Sequence, residues 1–241
     1  MFLGEARLPE GERVYAIGDI HGCTDLLDEM LRLIDADIRS APPAKCTIIF
    51  LGDFVDRGPD SRGVVDRLVE LASDPRHIML RGNHDQRLLD FVDNADIDGE
   101  GFLYWGGMAT VASYGVDVTG QRTPQALSRD LAKLFPASHS RLLMNLRQSH
   151  SIGDYFFAHA GVKPGVPLDQ QEAHDLMWIR NEFLIFQGSH GKVVIHGHTP
   201  MDWVDVQPNR INVDTRAFDS GVLSCVVLED NEWRVIQAET A

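Results

Sequence analysis

The chain contains 241 residues, of which 22 are Lys or Arg and 36 are Asp or Glu, so its formal net charge is −14. An acidic chain without a Lys/Arg-rich run is not expected to bind a nucleic-acid backbone, and a hydrophobic share of 44% is typical of globular rather than disordered proteins. The length suits one domain, and we expect residues 1–241 to form it, with a cap or insertion at about residues 94–150.

The first half of the chain repeats a short apolar run followed by an amphipathic stretch. The runs predict β-strands at Arg13–Ile17, Thr47–Leu51 and Ile78–Leu80. Apolar residues at helical spacing follow the first run from Thr24, a plausible N-cap, and follow the second run from Val65. Strands that alternate with helices predict an α/β fold, in which functional sites lie at the carboxyl ends of the strands.

Residues 94–150 interrupt this alternation with a Gly-rich aromatic run and a mixed-charge segment that we predict to be helical. Tyr104 and Trp105 in this run could line a substrate groove, although aromatic residues of an insertion more often form its own small core. After the insertion, strands are predicted at residues 154–158, 192–195, 210–213, 222–228 and 233–236.

Neither membrane association nor disulfide bonding is expected. No apolar run reaches the roughly 18 residues that a membrane-spanning helix needs, and residues 1–12 lack the basic and apolar segments of a secretion signal. Cys23, Cys46 and Cys225 are odd in number and far apart, so we expect them to be reduced and mostly structural. These features predict a cytoplasmic protein and leave its oligomeric state open.

Five apolar runs end in residue types that bind metal ions. The motifs are Asp19-Ile20-His21-Gly22, Gly52-Asp53-Phe54-Val55-Asp56-Arg57-Gly58, Gly82-Asn83-His84-Asp85, Ala158-His159-Ala160-Gly161 and His196-Gly197-His198-Thr199. One such motif alone more often caps or packs, but five at successive strand ends indicate a shared site. Carboxylate, imidazole and amide ligands favour Mn²⁺, Zn²⁺ or Fe²⁺ over Ca²⁺, and the lack of nearby thiolates argues against a closed structural zinc site.

These motifs resemble those of the calcineurin-like metallophosphoesterases, in particular the phosphoprotein phosphatases of compact bacterial and phage type. The resemblance rests on the first three motifs and their spacing, and the last two extend it over most of the sequence. It implies a four-layer αββα sandwich with a dinuclear metal site at the carboxyl ends of the strands. Two divalent ions per chain are expected, with Mn²⁺ favoured and Fe or Zn as alternatives.

The resemblance also implies which residues bind the metals. Carried over by position, the ligands of one ion are Asp19, His21 and Asp53. The ligands of the second ion are Asp53, Asn83, His159 and His198. Asp53 would therefore bridge the two cations, and its negative charge would reduce their repulsion. His196 is left in a supporting or packing position.

Four further residues are implied to take part in catalysis. The resemblance makes His84 the general acid that protonates the leaving alkoxide, and Asp56 the carboxylate that orients the imidazole. The alternative for Asp56 is a cap of the following turn. Arg57 and Arg180 are implied to bind the phosphoryl oxygens through planar guanidinium groups, with Arg180 resting only on the Met177-Trp178-Ile179-Arg180 segment.

Two positions depart from the patterns of related families. Pro200 stands where many broader metallophosphoesterases carry a second histidine, and this favours the phosphatase branch. Arg216 follows Asn212-Val213-Asp214-Thr215 where bacterial relatives usually carry glycine, which leaves the local turn open.

Three functions compete. The favoured one is a metal-dependent phosphomonoesterase acting on phosphoserine and phosphothreonine, with phosphotyrosine or small phosphate esters as further substrates, through direct attack of a metal-bridging hydroxide. The second is a bis(5′-nucleosyl)-tetraphosphatase that hydrolyses diadenosine tetraphosphate; that family shares the Gly-Asn-His-Asp ending but usually lacks the acid found here at Asp56. The third is an inactive binding or scaffold homologue, which would be expected to have lost a ligand or the general acid, and none is lost.

Overall fold

The computed structural model describes residues 1–240 and contains ten β-strands in two five-stranded sheets. Sheet 1 consists of β1 (Glu12–Ile17), β2 (Lys45–Phe50), β3 (His77–Met79), β9 (Val222–Glu229) and β10 (Glu232–Glu239), in the spatial order β10-β9-β1-β2-β3. Sheet 2 consists of β4 (Ser149–Ile152), β5 (Tyr155–Ala158), β6 (Val193–His196), β7 (Asp205–Gln207) and β8 (Arg210–Asn212), in the order β4-β5-β6-β8-β7.

Helices connect and cover these strands. They are α1 (Thr24–Ser40), α2 (Ser61–Leu71), α3 (Asn83–Asp93), α4 (Gly99–Phe102), α5 (Met108–Ser113), α6 (Pro124–Leu134), α7 (Ala137–Met144), α8 (Ala173–Trp178), α9 (Asn181–Leu184) and α10 (Ala217–Ser220). Leu103–Gly107 joins α4 to α5 through a kink at Gly106, where the backbone is not helical. Within residues 1–240, no helix has both the length and the apolar character needed to cross a membrane.

Parallel pairing brings the loops after several strands to one edge of each sheet. In sheet 1 the strands β1, β2 and β3 run parallel, and in sheet 2 the strands β5, β6 and β8 do so. Strands β1, β2 and β5 are buried on both faces, which explains why they appear in the sequence as continuous apolar runs rather than alternating patterns. The residues that follow β1, β2, β3, β5 and β6 are the five motifs described above.

Three apolar cores separate four layers. Leu27 of α1 belongs to a core between the helices and sheet 1. Ile49 and Phe157 lie in a second core between the two sheets, and Phe156 and Phe183 lie in a third between sheet 2 and the short helices α8 and α9. Full burial of each such side chain contributes about 1.5–3 kcal/mol. The predicted α/β class and four-layer αββα arrangement are confirmed.

The start of α1 differs in detail from the expectation. The helix begins at Thr24, but Cys23 occupies the N-cap position and provides no side-chain hydrogen bond. The Thr24 hydroxyl instead donates to the Asp60 carboxylate at 2.9 Å. Asp60 in turn caps α2 by accepting the backbone N–H of Gly63, so the cap of this turn is Asp60 and not Asp56.

Two strands were not predicted from the sequence. β4 and β7 form the edges of sheet 2, contain three or four residues each, and are only partly buried, so neither produces an apolar run. The mixed-charge segment after the aromatic run, predicted to be helical, contains α5, α6 and α7, whereas α4 was not predicted. β4 begins at Ser149, just inside the predicted boundary of residues 94–150.

Candidate metal centre

The metal-binding residue types converge from both sheets onto one buried site. Asp19, Asp53 and Asn83 follow strands of sheet 1, whereas His159 and His198 follow strands of sheet 2. None of these five side chains is more than 4% exposed. The site therefore spans the boundary between the two sheets, and its geometry depends on the core that packs them together.

The Asp53 carboxylate lies between two groups of imidazoles. Its Oδ2 is 3.5 Å from Nε2 of His21, and its Oδ1 is 3.4 Å from Nε2 of His159. The ligand atoms of Asp53, His159 and His198 lie within 4.8 Å of one another, and the same holds for those of His21, Asp53 and His84. Asp53 is thus the one residue shared by both groups, as a bridging ligand would be.

The other two ligands expected from the sequence lie beside these groups. Asn83 Oδ1 is 3.0 Å from Nε2 of His159. The Asp19 carboxylate accepts the backbone N–H of His198 at 3.0 Å, so it is held against the loop that carries that histidine. All six expected ligand side chains are therefore brought together.

Hydrogen bonds to the far nitrogens fix the orientation of two histidine rings. Nδ1–H of His21 donates to the Val55 carbonyl at 2.7 Å, and Nδ1–H of His159 donates to the Leu51 carbonyl at 3.0 Å. A carbonyl oxygen can only accept, so in the neutral ring Nε2 carries the lone pair and faces Asp53. This is the arrangement that metal-binding histidines adopt.

Unpartnered nitrogens show that the residues fit a bound cation. Nε2 of His21 and Nε2 of His198 are buried and have no hydrogen-bond partner. Burial lowers the pKa of His21 to about 3 and that of His198 to about 2, so both rings are neutral and able to bind a metal. Leaving buried polar nitrogens unpaired costs about 1–3 kcal/mol each, and a cation between them and the carboxylates would remove that cost.

Without a cation, the charges at the site are not balanced. Burial and the nearby Asp214 carboxylate raise the pKa of Asp19 well above its usual value. Burial opposes protonation of His159, but the Asp53 carboxylate outweighs it and raises the pKa of His159 to about 9. In the absence of a metal ion, a proton on His159 therefore supplies positive charge at the site. A metal ion that binds to His159 would have to displace this proton.

Five of these functional residues adopt the left-handed backbone conformation. They are His21 (φ 45°), Asp53 (φ 52°), Asp56 (φ 73°), Arg57 (φ 69°) and His198 (φ 64°). None is glycine, so each conformation costs of order 1–3 kcal/mol and persists only where surrounding contacts enforce it. Backbone strain at five residues of one site indicates that the loop conformations are held by surrounding contacts, which orient these side chains towards the site.

Asp85 supplies part of that enforcement, and the sequence did not assign it a role. Its buried carboxylate accepts the backbone N–H groups of Asp53, Phe54 and Gly82, each at 2.9 Å. A Cβ at Gly82 would lie 2.1 Å from Asp53 Oδ1, so this close approach requires glycine. The sequence did offer one indication of this role. Asp85 is the third residue of α3, a position where side chains often accept hydrogen bonds from backbone N–H groups at the helix start.

His84 and Asp56 form a hydrogen-bonded pair at the edge of the site. Nδ1–H of His84 donates to Asp56 Oδ2 at 2.6 Å, and the pair is almost fully buried. On the other side of the ring, Arg57 Nη2 donates to Nε2 of His84 at 3.1 Å. His84 Nε2 therefore faces the Arg57 guanidinium while Nδ1 is committed to the carboxylate.

A cavity of about 510 Å³ opens beside these residues. It is lined by Arg57, Asn83, His84, Arg87, Trp105, Trp178, Arg180 and Pro200. Both expected phosphate-binding arginines are present, and none of the described lining residues carries a carboxylate. In a chain of net charge −14, this cleft concentrates positive charge.

Arg87 and Trp178 are lining residues that the sequence did not single out. Arg87 forms a salt bridge with Asp98 and lies 5.7 Å from the centre of the Trp178 ring. Because it follows Asn83 by four positions in α3, helical spacing could have placed it on the same face. Trp105 is 55% exposed and lines the cleft rather than a core of its own segment.

His196 and Arg216 lie outside this arrangement. The His196 ring is buried against Phe183, with 4.9 Å between ring centres, and belongs to neither group of ligand atoms. Arg216 adopts a left-handed conformation, φ 58°, and pairs with Asp202 and Asp219. Arg216 therefore adopts the left-handed turn conformation that glycine usually adopts at this position.

The three cysteines are free and buried.

Comparison with known proteins gives a consistent assignment. The family described as calcineurin-like phosphoesterase matches residues 12–227. Serine/threonine-protein phosphatase 1 of Salmonella typhimurium is 28% identical over 219 residues, which cover 88% of this chain and 89% of that protein. A symmetrical bis(5′-nucleosyl)-tetraphosphatase of Acidovorax sp. is 29% identical over 158 residues, which cover 63% of this chain and 44% of that protein. The chain thus spans less than half the length of this tetraphosphatase.

Solved structures share the fold. One described as a candidate diadenosine tetraphosphatase has a TM-score of 0.68 at 24% identity, with 98% of this chain and all of that chain covered. The cold-active protein-tyrosine phosphatase of a Shewanella species has a TM-score of 0.59 at 17% identity, with 97% and 83% covered.

Proposed function

The chain belongs to the calcineurin-like phosphoesterase family and is a phosphoric ester hydrolase, and we propose that it is a metal-dependent phosphomonoesterase that dephosphorylates serine and threonine residues. Phosphotyrosine and small phosphate esters are further substrates in this proposal. The match to serine/threonine-protein phosphatase 1 over most of both chains supports it.

The observation that carries this proposal is the 2.6 Å hydrogen bond between His84 Nδ1 and Asp56 Oδ2 beside the metal-binding residues. The leaving group of a phosphoserine is a poor one, because an alkoxide is strongly basic and must be protonated as the P–O bond breaks. A histidine oriented by a carboxylate is suited to that task. The bis(5′-nucleosyl)-tetraphosphatase family, as the sequence motifs indicated, usually lacks the acid found here at Asp56.

The proposed metal ligands follow the two groups of side chains. One ion is proposed to be bound by Asp19, His21 and Asp53. The other is proposed to be bound by Asp53, Asn83, His159 and His198. Imidazole, carboxylate and amide oxygen together suit Mn²⁺, Fe or Zn. Mn²⁺ is proposed because the resemblance to the phosphoprotein phosphatases implies it. When bound, two divalent cations polarise the phosphoryl group and activate a water molecule for attack on phosphorus.

The protein's own side chains then have separate tasks. Arg57 and Arg180 bind the non-bridging phosphoryl oxygens, and binding there moves the Arg57 guanidinium away from His84 Nε2. Once Arg57 has moved, Nε2 takes up a proton from solvent, and the Asp56 carboxylate at Nδ1 stabilises the resulting imidazolium. Nε2 then donates that proton to the leaving oxygen as the P–O bond breaks. His84 is thus used as an acid and not as a ligand.

A second candidate function is hydrolysis of a dinucleoside tetraphosphate. The observation that favours it is the cleft itself, because Trp105 and Trp178 present aromatic rings next to three arginines. Aromatic faces stack on nucleobases, and guanidinium groups bind successive phosphates. Tetraphosphatases are among the relatives. Two symmetrical ones are matched over 44% and 24% of their length, whereas an asymmetrical one is matched over 88% of its length.

One experiment separates the two candidates. The rates of hydrolysis of a phosphoserine peptide, a phosphotyrosine peptide and diadenosine tetraphosphate are compared side by side under saturating Mn²⁺. We expect the highest kcat/KM for the phosphoserine peptide. A large preference for the dinucleotide would reverse the order of the candidates. If the protein hydrolysed neither these three substrates nor p-nitrophenyl phosphate, the inactive scaffold homologue would become the favoured interpretation.

A further inference from the structure

Thr110 lies in α5, within residues 94–150, yet its side chain touches the proposed catalytic pair. The side chain is completely buried, and its hydroxyl donates to Asp56 Oδ1 at 2.6 Å. Thr110 Oγ1 also lies 2.9 Å from the backbone nitrogen of Asp56 and 2.9 Å from the Ser61 hydroxyl. Asp56 is therefore held by a residue 54 positions away along the chain.

The hydrogen-bond directions in this cluster can be assigned uniquely. A hydroxyl has one proton, and that of Thr110 is committed to Asp56 Oδ1, so Thr110 must accept from Ser61 and from the Asp56 backbone N–H. Ser61 also accepts that N–H, at 3.0 Å. The result is a chain of donors from Ser61 through Thr110 to one oxygen of Asp56, while His84 donates to the other oxygen.

The same part of the chain also supports the strained backbone of Asp56 and Arg57. The Gly106 carbonyl accepts the backbone N–H of Arg57 at 3.2 Å. Gly106 has φ 114°, and a Cβ there would lie 2.7 Å from Arg57 N, so only glycine permits this contact. Gly106 and Thr110 thus accept the backbone N–H groups of Arg57 and Asp56, two consecutive residues in the left-handed conformation.

We infer that Thr110 is a positioning residue for the hydrolysis: its hydroxyl fixes the Asp56 carboxylate so that Oδ2 stays aimed at His84 Nδ1. The inference rests on the proposed function, in which His84 is the general acid. Without Oγ1, Oδ1 of Asp56 loses its only side-chain donor among residues 1–240, and the bond from His84 alone then restrains the carboxylate about its χ2 angle. His84 then loses the orientation that presents Nε2 to the leaving oxygen.

The leaving group distinguishes positioning from a merely structural role. A phosphoserine peptide needs its leaving oxygen protonated, whereas dinitrophenolate departs without a proton. Loss of proton donation therefore slows the first reaction and spares 2,4-dinitrophenyl phosphate. General damage to the site, or loss of metal, slows both reactions alike.

The test compares Thr110→Val, which keeps the shape but removes the hydroxyl, with Thr110→Ser, which keeps the hydroxyl. With Mn²⁺ bound, Thr110→Val should lower kcat for the phosphoserine peptide by about 10- to 100-fold and kcat for 2,4-dinitrophenyl phosphate by less than about threefold. Thr110→Ser should restore most of the peptide rate. Ser128→Ala is the matched control, because Ser128 is a buried hydroxyl of the same segment that bonds only to the Phe91 carbonyl.

His84→Asn makes the outcome decisive. That variant should show the same dependence on the leaving group, and adding Thr110→Val to it should cause no further loss on the peptide. If His84→Asn slows both substrates equally, the general-acid assignment fails and this inference fails with it. If His84→Asn shows the dependence and Thr110→Val, folded and metal-loaded, does not, only the role of Thr110 is overturned.

Discussion

The Asp85 carboxylate accepts the backbone N–H of Asp53 at 2.9 Å, so a residue outside the proposed ligand set holds the ligand that lies between the two groups of imidazoles. The same carboxylate accepts the N–H groups of Phe54 and Gly82. It therefore ties the loop after β2 to the start of α3, and these two segments carry Asp53 and Asn83. Asp85 thus restrains the distance between these two proposed ligands, together with the hydrogen bond from the His84 backbone N–H to Asp53 Oδ1.

The first prediction follows from that tie. Asp85→Asn replaces one acceptor oxygen with an N–H₂ group that faces backbone donors, so the loop should shift and weaken Mn²⁺ binding by about 10- to 100-fold. Isothermal titration calorimetry measures the change, with Asp53→Asn as the reference for near-complete loss of metal and turnover. Asp90→Asn in the same helix, where the carboxylate accepts only from Gln86, should leave the affinity unchanged. An unaltered affinity for Mn²⁺ in Asp85→Asn would show that the loop after β2 keeps its conformation without the Asp85 carboxylate.

The second prediction concerns His84, whose Nε2 lies close enough to Asp53 and His21 to be considered a ligand. If it is instead the proton donor, His84→Asn should keep its full complement of Mn²⁺ and lower kcat on a phosphoserine peptide by about 10²- to 10⁴-fold. Elemental analysis of the purified variant gives the metal content. A variant that has lost metal would mean that His84 is a ligand.

The third prediction is the pH dependence of metal binding. Burial lowers the pKa of His159 but the Asp53 carboxylate outweighs it and raises that pKa to about 9 in the metal-free protein, so the ring is mostly imidazolium between pH 6 and pH 8. A cation must displace this proton, and the apparent affinity for Mn²⁺ should therefore rise with pH, by about tenfold per unit between pH 6 and pH 8 for one proton released. Titrations at three pH values measure the slope. His174→Asn, at an exposed histidine, should give the same slope as the wild type, and a flat profile would contradict the proton on His159.

The fourth prediction addresses the cleft. If Trp105 stacks on a nucleobase, Trp105→Ala should raise KM for diadenosine tetraphosphate by about tenfold or more, because such stacking contributes about 1–3 kcal/mol per base. KM for p-nitrophenyl phosphate should stay within about twofold. Trp203→Ala removes an exposed tryptophan that does not line the cavity, and it serves as the control. Equal effects on both substrates would argue against a base-binding role.

The sequence was sufficient to predict the residue types at the site because each lies directly after a strand. Asp19, Asp53 and His159 follow buried apolar runs, and parallel strands with a common direction bring such positions to one edge. The local pattern therefore indicates a shared site at these positions, whereas the role of each residue was implied by the resemblance to the calcineurin-like metallophosphoesterases. The α/β class followed from the same alternation of runs.

What the sequence could not indicate depends on contacts between distant segments. Thr110 is an ordinary threonine in a helix, and nothing near it in the chain shows that its hydroxyl meets Asp56. The strands β4 and β7 are short and partly exposed, so their residues are selected by pairing at a sheet edge rather than by burial. The tryptophans that line the cleft come from α8 and from the turn before α5, and only the fold brings them together.

The contacts of Gly106 and Thr110 with residues 56 and 57 have a consequence for protein engineering. One way to change substrate preference is to exchange residues 94–150 as a unit between relatives. Such a chimaera would replace Trp105 of the cleft together with Gly106 and Thr110, the partners of Arg57 and Asp56. Specificity and rate would therefore change at the same time. Exchanges that retain residues 103–113 of this chain, and replace only the sequence on either side, keep the two properties separable.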